Sequence, residues 1–396
     1  MVAGFLVSRV VLSISMFLFG INAIRDVHPR EWLTKKWWLI GLGWVAMYAI
    51  TWFWSDNKGE WGEHLQTKLP FLLLPLAFSF QPRFTARQFQ TLTVSFAIML
   101  LVGACYSMSF FVRDPAYYIS EYRVSHMLPT LPKKDHIRAS LSIAFFIIWC
   151  VYAWPLMTGK VVKWITGSCI VVLMVYIHLL AAKSGLVSLY LFLVAYGLYL
   201  TIAKRKLAGL IVLVAIPVVA WLALTFVPTF RERANYIGFS YVRLKQGDRS
   251  GNIGDIARLI SYQLAFTVIK EHPLTGVGTG DMKAEMDKQY AAKYPDIPEH
   301  GRLLVHNQFL VVALGCGIPA MILFMVWVFL PLTQLRRNRQ SFFFFVVWLL
   351  LLLQLMIEPV LEVQFGVFVY LFFLLLQLQE VKYDGVDGAP RRFSLG

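Results

Sequence analysis

The sequence predicts an all-α polytopic membrane protein with about 11–12 transmembrane helices and one large helical loop on the outer side. Three observations predict it. The 396 residues are 58% hydrophobic, with a mean hydropathy of +0.62. Only 15% are charged, against about 25% in soluble domains. Apolar runs approaching the ~20 residues that cross a bilayer recur along the whole chain. The 31 Phe, 13 Trp and 17 Tyr suit lipid-facing surfaces and interfacial belts. The first apolar run is too long for a signal peptide and lacks a small-residue cleavage site, so no cleavable leader is expected. Cys105, Cys150, Cys169 and Cys316 all lie in apolar runs with no metal or disulfide spacing, and read as buried thiols.

The apolar runs place spans near 3–24, 37–54, 66–80, 89–112, 138–157, 161–182, 185–203, 207–228, 306–332, 341–357 and 359–379. The third is short and bounded by Pro70 and Pro75, so a kinked or partial span is expected there. Basic clusters fall in alternating connections: Arg25 to Lys36, Arg83 and Arg87, Lys160 and Lys163, Lys204 to Lys206, and Arg336 to Arg339. The positive-inside rule puts these in the cytoplasm, with Arg391 and Arg392 of the tail. The stretches 55–65, 113–137 and 229–305 then lie outside. The chain divides into an N-terminal transmembrane bundle (1–228), the large outer loop (229–305), C-terminal transmembrane helices (306–380) and a cytoplasmic tail (381–396) expected to be disordered. Eleven spans leave the N-terminus outside; a hairpin in the first 24 residues would bring it inside.

The net charge of +15 is spread over short connectors, which argues for an anionic membrane leaflet and against a nucleic-acid partner. The first half of the outer loop is different. Arg231, Arg233, Arg243, Lys245, Arg249, Arg258 and Lys270 stand against Glu232, Asp248 and Asp255. A basic half-loop at an outer membrane surface suits a phosphorylated ligand, though a solvated face would look the same. Asp255 can cap a helix over about 256–271, where Ile256, Ile260, Leu264 and Val268 recur on one apolar face. Arg258 and Tyr262 are four apart and share another face. The helix stops at His272-Pro273. The segment GVGTGD follows; Gly276 and Gly278 permit a tight turn, either a plain loop or a cradle of amides around an anion.

His306 opens HNQFLVVALGCG where the polar loop meets an apolar run. An imidazole titrates near neutral pH and can act as a general base. The plainer reading is a helix-end histidine bonded to a neighbour. Lys183, in HLLAAKSGLVSLY, is a lysine between two apolar spans on the side where positive charge is disfavoured, which is costly unless it has a task or snorkels. Charge alternation puts Lys183, Arg258 and His306 on the same side, with Glu358 and Glu362 at the last hairpin as counter-ions or cavity-lining groups, a structural role being the plainer reading.

The segments RLISYQLAFTVIKEHPLTGVGTGD and HNQFLVVALGCGIPA resemble the O-antigen ligase family, within a superfamily of membrane glycosyltransferases that also holds O-antigen polymerases and protein O-oligosaccharyltransferases. The resemblance covers the hydropathy profile, with its motifs concentrated in residues 180–317. It implies transfer of a glycan from undecaprenyl pyrophosphate to a sugar of the lipid A–core, at the periplasmic face of the bacterial inner membrane, with the large loop periplasmic. It implies that His306 is the essential histidine, that Arg258 is the loop arginine, and that Lys183 stands where the family usually has arginine. Lysine keeps the charge but loses the planar fork, so Arg138 or a loop arginine such as Arg302 is a candidate to supply it. Asn307 and Tyr262 are candidate supporting residues, with Gly276 and Gly278. The family is described with twelve spans and both ends cytoplasmic, which bears on the N-terminal count.

These residues fit one chemistry. His306 would take the proton of a sugar hydroxyl as it attacks the anomeric carbon, and Arg258 and Lys183 would stabilise the leaving pyrophosphate. A single displacement inverts the anomeric centre. The sequence has no Asp-x-Asp motif and its histidines are dispersed, so no metal or other cofactor is expected. The expected partners are the lipid-linked donor, the lipid A–core acceptor and the bilayer. The rivals are an O-antigen polymerase, a protein O-oligosaccharyltransferase and, from a different class, a membrane transporter; against the last stand the absence of an internal repeat and the long outer loop.

Overall fold

The computed structural model describes all residues except 2–3, 6–7, 25–34, 81–84, 125, 132–134, 158, 247–253, 336–338 and 387–396. Several basic residues that orient the chain by charge (Arg25, Arg30, Arg83, Arg336, Arg337, Arg391, Arg392) lie outside the described residues, as do Asp248 and Arg249 of the outer loop. Among the described residues there is no strand. The helices are α1 (Arg9–Ile24), α2 (Lys35–Ile50), α3 (Lys58–Lys68), α4 (Pro70–Phe80), α5 (Ala86–Arg113), α6 (Pro115–Arg123), α7 (His136–Ala153) and α8 (Lys160–Leu180). They continue as α9 (Lys183–Leu198), α10 (Leu207–Phe226), α11 (Pro228–Lys245), α12 (Gly254–Glu271), α13 (Met282–Lys293), α14 (Gln308–Phe329), α15 (Arg339–Ile357) and α16 (Gln364–Val386). Each expected span has a helix at its place. Seven are long and apolar enough to cross a membrane among the described residues: α5, α7, α8, α9 with its π-helical end, α10, α14 and α15. Val10–Ala23 and Gln364–Leu378 are shorter apolar helices. The chain is an all-α, multi-pass membrane protein.

The third run, expected as kinked or partial, holds the end of α3 and then α4, an apolar helix of 11 residues opened by Pro70, which has no amide proton to continue α3. Two local expectations are corrected. The helix expected from 256 begins two residues earlier, at Gly254, so Asp255 lies inside it. Residues 381–386, expected as disordered tail, continue α16.

The chain forms two compact units, one of residues 1–15 and 84–239, the other of 16–83 and 240–396. In the first unit, α7 is buried along most of its length. Its Ser140 and Ser142 return their hydroxyls to the carbonyls of Ile137 and Arg138, both at 2.8 Å, so they cost little inside. Trp149 stacks on Phe89 of α5 at 4.5 Å and donates its indole N–H to Thr93 at 3.0 Å. The α7–α9 pair is packed so closely that a Cβ on Gly185 would lie 2.4 Å from the Ser140 Cβ. Small residues permit this approach where no hydrophobic force between helices is available.

In the second unit, rings from α2, α4, α14 and α16 make the core. Trp37 stacks on Trp327 at 4.8 Å and donates its indole N–H to the Trp327 carbonyl at 2.7 Å; Trp44, Phe71, Phe324 and Tyr370 surround them. Helices α12 and α13 add a second cluster. Ile256, Ile260, Leu264 and Val268 are all buried, against Met282, Met286 and Tyr290 of α13 and Val311 and Leu314 of α14. Burial of such side chains stabilises by about 1.5–3 kcal/mol each, as an upper estimate.

Helix α14 is broken at Gly317 (φ 86°), two residues before Pro319. Pro319 has no N–H for the Gly315 carbonyl, and the Ile318 N–H goes instead to the Pro273 carbonyl at 2.8 Å. The loop after α12 answers both losses: Val277 N–H donates to the Leu314 carbonyl at 2.9 Å, and Gly278 N–H to the Gly315 carbonyl at 3.0 Å. A Cβ on Gly317 would sit 2.2 Å from the Leu274 carbonyl oxygen. Gly317→Ala is therefore expected to destabilise the fold by at least about 1–3 kcal/mol, read as an earlier thermal unfolding in detergent.

Candidate functional site

Residues 306–308 lie between α12 and the hairpin that joins α15 to α16. Asn307 caps α14: its side-chain oxygen accepts from Phe309 N–H (3.0 Å) and Leu310 N–H (3.1 Å), satisfying two of the amides a helix start leaves open. Its amide nitrogen donates to the Met356 carbonyl at 3.1 Å, at the end of α15. His306 precedes it, outside the helix. The Tyr262 hydroxyl donates to the His306 carbonyl at 2.5 Å. Arg258, one turn back on α12, forms an ion pair with Glu358. The other Glu358 oxygen lies 3.7 Å from His306 Nδ1. The shared face of Arg258 and Tyr262 thus meets the His306 segment, with Glu358 bridging guanidinium and imidazole.

Electrostatics follow from burial. The His306 side chain is 22% exposed, Arg258 30% and Glu358 8%. Burial first, and the Arg258 guanidinium second, push the imidazole down to about 4. His306 is therefore neutral at neutral pH and carries a nitrogen lone pair. At 3.7 Å its Nδ1 is beyond hydrogen-bond range of Glu358 and is a buried polar atom without a hydrogen-bond partner. A proton gained by the ring would place a positive charge beside a carboxylate already poised to meet it.

The other expected site residues are placed as follows. Arg302 donates from Nε to the Ile297 carbonyl at 3.2 Å and braces that turn. Gly276 (φ 64°) and Gly278 (φ 94°) take conformations that favour glycine, but not as an anion cradle. The N–H groups of residues 276–281 all bond to protein: to His272, Leu314 and Gly315 carbonyls, to the Thr51 and Ser55 hydroxyls, and to the Gly278 carbonyl. The loop is committed to the broken helix instead. Lys183 and Arg138 belong to the first unit. Lys183 is the first residue of α9, after Ala181 in the left-handed conformation (φ 49°) reverses the chain. Arg138 lies in the first turn of α7, pairs with Asp135 at 2.7 Å and keeps a buried Nε without a hydrogen-bond partner. Each is two residues from the Gly185–Ser140 contact, so both sit at the same end of the α7–α9 pair.

Sequence reasoning missed a second cluster. Glu362 Oε1 accepts from Lys68 Nζ (2.8 Å), Gln308 Nε2 (2.6 Å) and the Tyr48 hydroxyl (3.3 Å), while Oε2 is 2.9 Å from His64 Nδ1. The signal for it was Lys68, a lysine at the edge of an apolar run.

Residues 169–325 match the family model described as O-Antigen ligase. Over these 157 of its 396 residues the chain is similar to that family. A comparison with curated proteins found no match. The matched segment contains Lys183, Arg258, Tyr262 and His306; Arg138, Glu358 and the Glu362 cluster lie outside it, apart from Gln308. The match supports a glycosyltransferase-like enzyme of the O-antigen ligase or polymerase type, acting on glycan substrates at a membrane.

Proposed function

We propose that the protein is an O-antigen ligase of the bacterial inner membrane. It transfers a glycan from undecaprenyl pyrophosphate to a lipid A–core sugar hydroxyl at the periplasmic side. The observation that carries the reading is the Arg258–Glu358–His306 arrangement inside and beside the matched domain. The acceptor oxygen forms a bond to the anomeric carbon, the carbon–pyrophosphate bond breaks, and its electron pair leaves on the phosphate oxygen. The acceptor proton goes to His306, and Glu358 stabilises the resulting imidazolium. Undecaprenyl pyrophosphate is a good leaving group, so its main need is charge stabilisation, for which Arg258 and Lys183 are the cations. The displacement is metal-independent and inverts the sugar. The deciding experiment reconstitutes the protein in liposomes with lipid-linked glycan and two competing acceptors, rough lipopolysaccharide and a second lipid-linked glycan. Product on lipopolysaccharide supports a ligase; product on the second glycan makes the protein a polymerase; transfer to neither overturns the reading.

The depressed basicity of His306 has a pH signature. The base works only when neutral, and the ring is protonated only as the pH falls toward about 4. As far as His306 decides, kcat/KM is expected to be level between about pH 8 and about pH 6 and to fall below that range. A pH–rate profile in liposomes checks this. An acid limb centred on the ordinary value of 6.5 would mean the ring is solvated during catalysis.

A further inference from the structure

The Glu362 cluster is an expensive thing to bury. The Lys68 side chain is 0% exposed and Glu362 7%. Lys68 also donates to the Leu361 carbonyl at 2.6 Å and lies 4.9 Å over the Tyr48 ring. Burial alone would push the Glu362 carboxyl up; Lys68 and His64 outweigh it and hold it below the usual carboxylate range. Buried pairs add little net stability even when well satisfied, but they do specify geometry. The geometry specified here is that of the hairpin between α15 and α16.

Three consecutive residues read that hairpin. His306 faces Glu358. Asn307 holds the Met356 carbonyl on the near side. Gln308 holds the far side with both ends of its amide: Nε2 donates to Glu362 at 2.6 Å, and Oε1 accepts from Leu361 N–H at 2.8 Å. Glu358 thus lies between two grips, one on Met356 before it and one on Leu361 and Glu362 after it. Gln308 is fully buried, so it touches no substrate. We propose that Gln308, anchored by Glu362, is a positioning residue that sets Glu358 against His306 and Arg258. The inference rests on the reading of His306 as the base. A base and its counter-ion must be held within about 0.5 Å of productive geometry, and loop residues achieve this only when the groups behind them are fixed.

The test is Gln308→Met in the full-length protein, reconstituted with undecaprenyl-pyrophosphate-linked glycan and lipid A–core. Methionine fills the space and removes both hydrogen bonds. The expected result is a kcat about 10- to 100-fold lower, as for outer-shell partners of other centres, with KM for both substrates unchanged. Combined with Glu358→Gln, the loss should be smaller than the product of the two single losses, because both changes act on the same contact. Losses that multiply, a change in KM alone, or an unaltered kcat would each overturn the proposal. Gln308→Asn, too short to grip both partners, repeats the measurement if the methionine variant does not fold; failure of both to fold makes the role structural and also overturns it. No transfer by the unaltered protein would instead sink the ligase reading.

Discussion

His306→Ala is expected to lower glycan transfer by about 10²- to 10⁴-fold while the protein still inserts and binds its donor. The side chain carries no structural hydrogen bond: Nδ1 is without a partner and 3.7 Å from Glu358, whereas Tyr262 grips the backbone carbonyl and is indifferent to the side chain. Removing the imidazole therefore removes a proton acceptor and leaves the Arg258–Glu358 pair intact. A structural histidine would show the reverse pattern, with loss of folded protein and normal specific activity in what remains. The measurement is single-turnover transfer with purified donor and acceptor. Undiminished product would reject the assignment, and the next imidazole to test is His64, 2.9 Å from Glu362.

The second large effect is expected at Lys183. Lys183→Ala should cut transfer by about 10²-fold, the scale of losing one charge-stabilising donor in a transition state. Lys183→Arg should retain activity, because the position opens α9, where helix amides and a cation both favour an anion. Arg138, at the same end of the α7–α9 pair, pairs with Asp135 and still presents a planar guanidinium. Arginine at 183 would restore the planar fork that lysine lacks, whether or not Arg138 supplies one. Activity indifferent to alanine would take Lys183 out of the mechanism, with His306 unaffected.

Much of the outer loop was legible because its information is local. The spacing of Ile256, Ile260, Leu264 and Val268 named a buried face correctly, and the four-residue interval put Arg258 and Tyr262 on one shared face, which the structure sets against the His306 segment. Periodicity reports what one helix presents. It cannot report what meets it. Glu358 and Glu362 were visible as candidate counter-ions or cavity-lining groups, but the pairings of Glu358 with Arg258 and of Glu362 with Lys68 join residues 100 and about 290 positions apart. The glycines of GVGTGD illustrate the same limit. Glycine permits an exposed amide cradle and a tight packing turn equally well, and the choice was made by Pro319, some forty residues downstream, whose missing N–H left a carbonyl needing a donor.

That repair changes what Val277 and Gly278 are. By position they belong to a connector, the kind of segment where tags, protease sites and insertions are usually accommodated. By bonding they are the missing rungs of a transmembrane ladder. Lengthening the stretch by one residue would slip both rungs at once and open the hydrogen-bonded path of α14 some ten residues beyond His306. Engineering of this protein should treat the stretch as part of the membrane domain's frame and place its handles elsewhere.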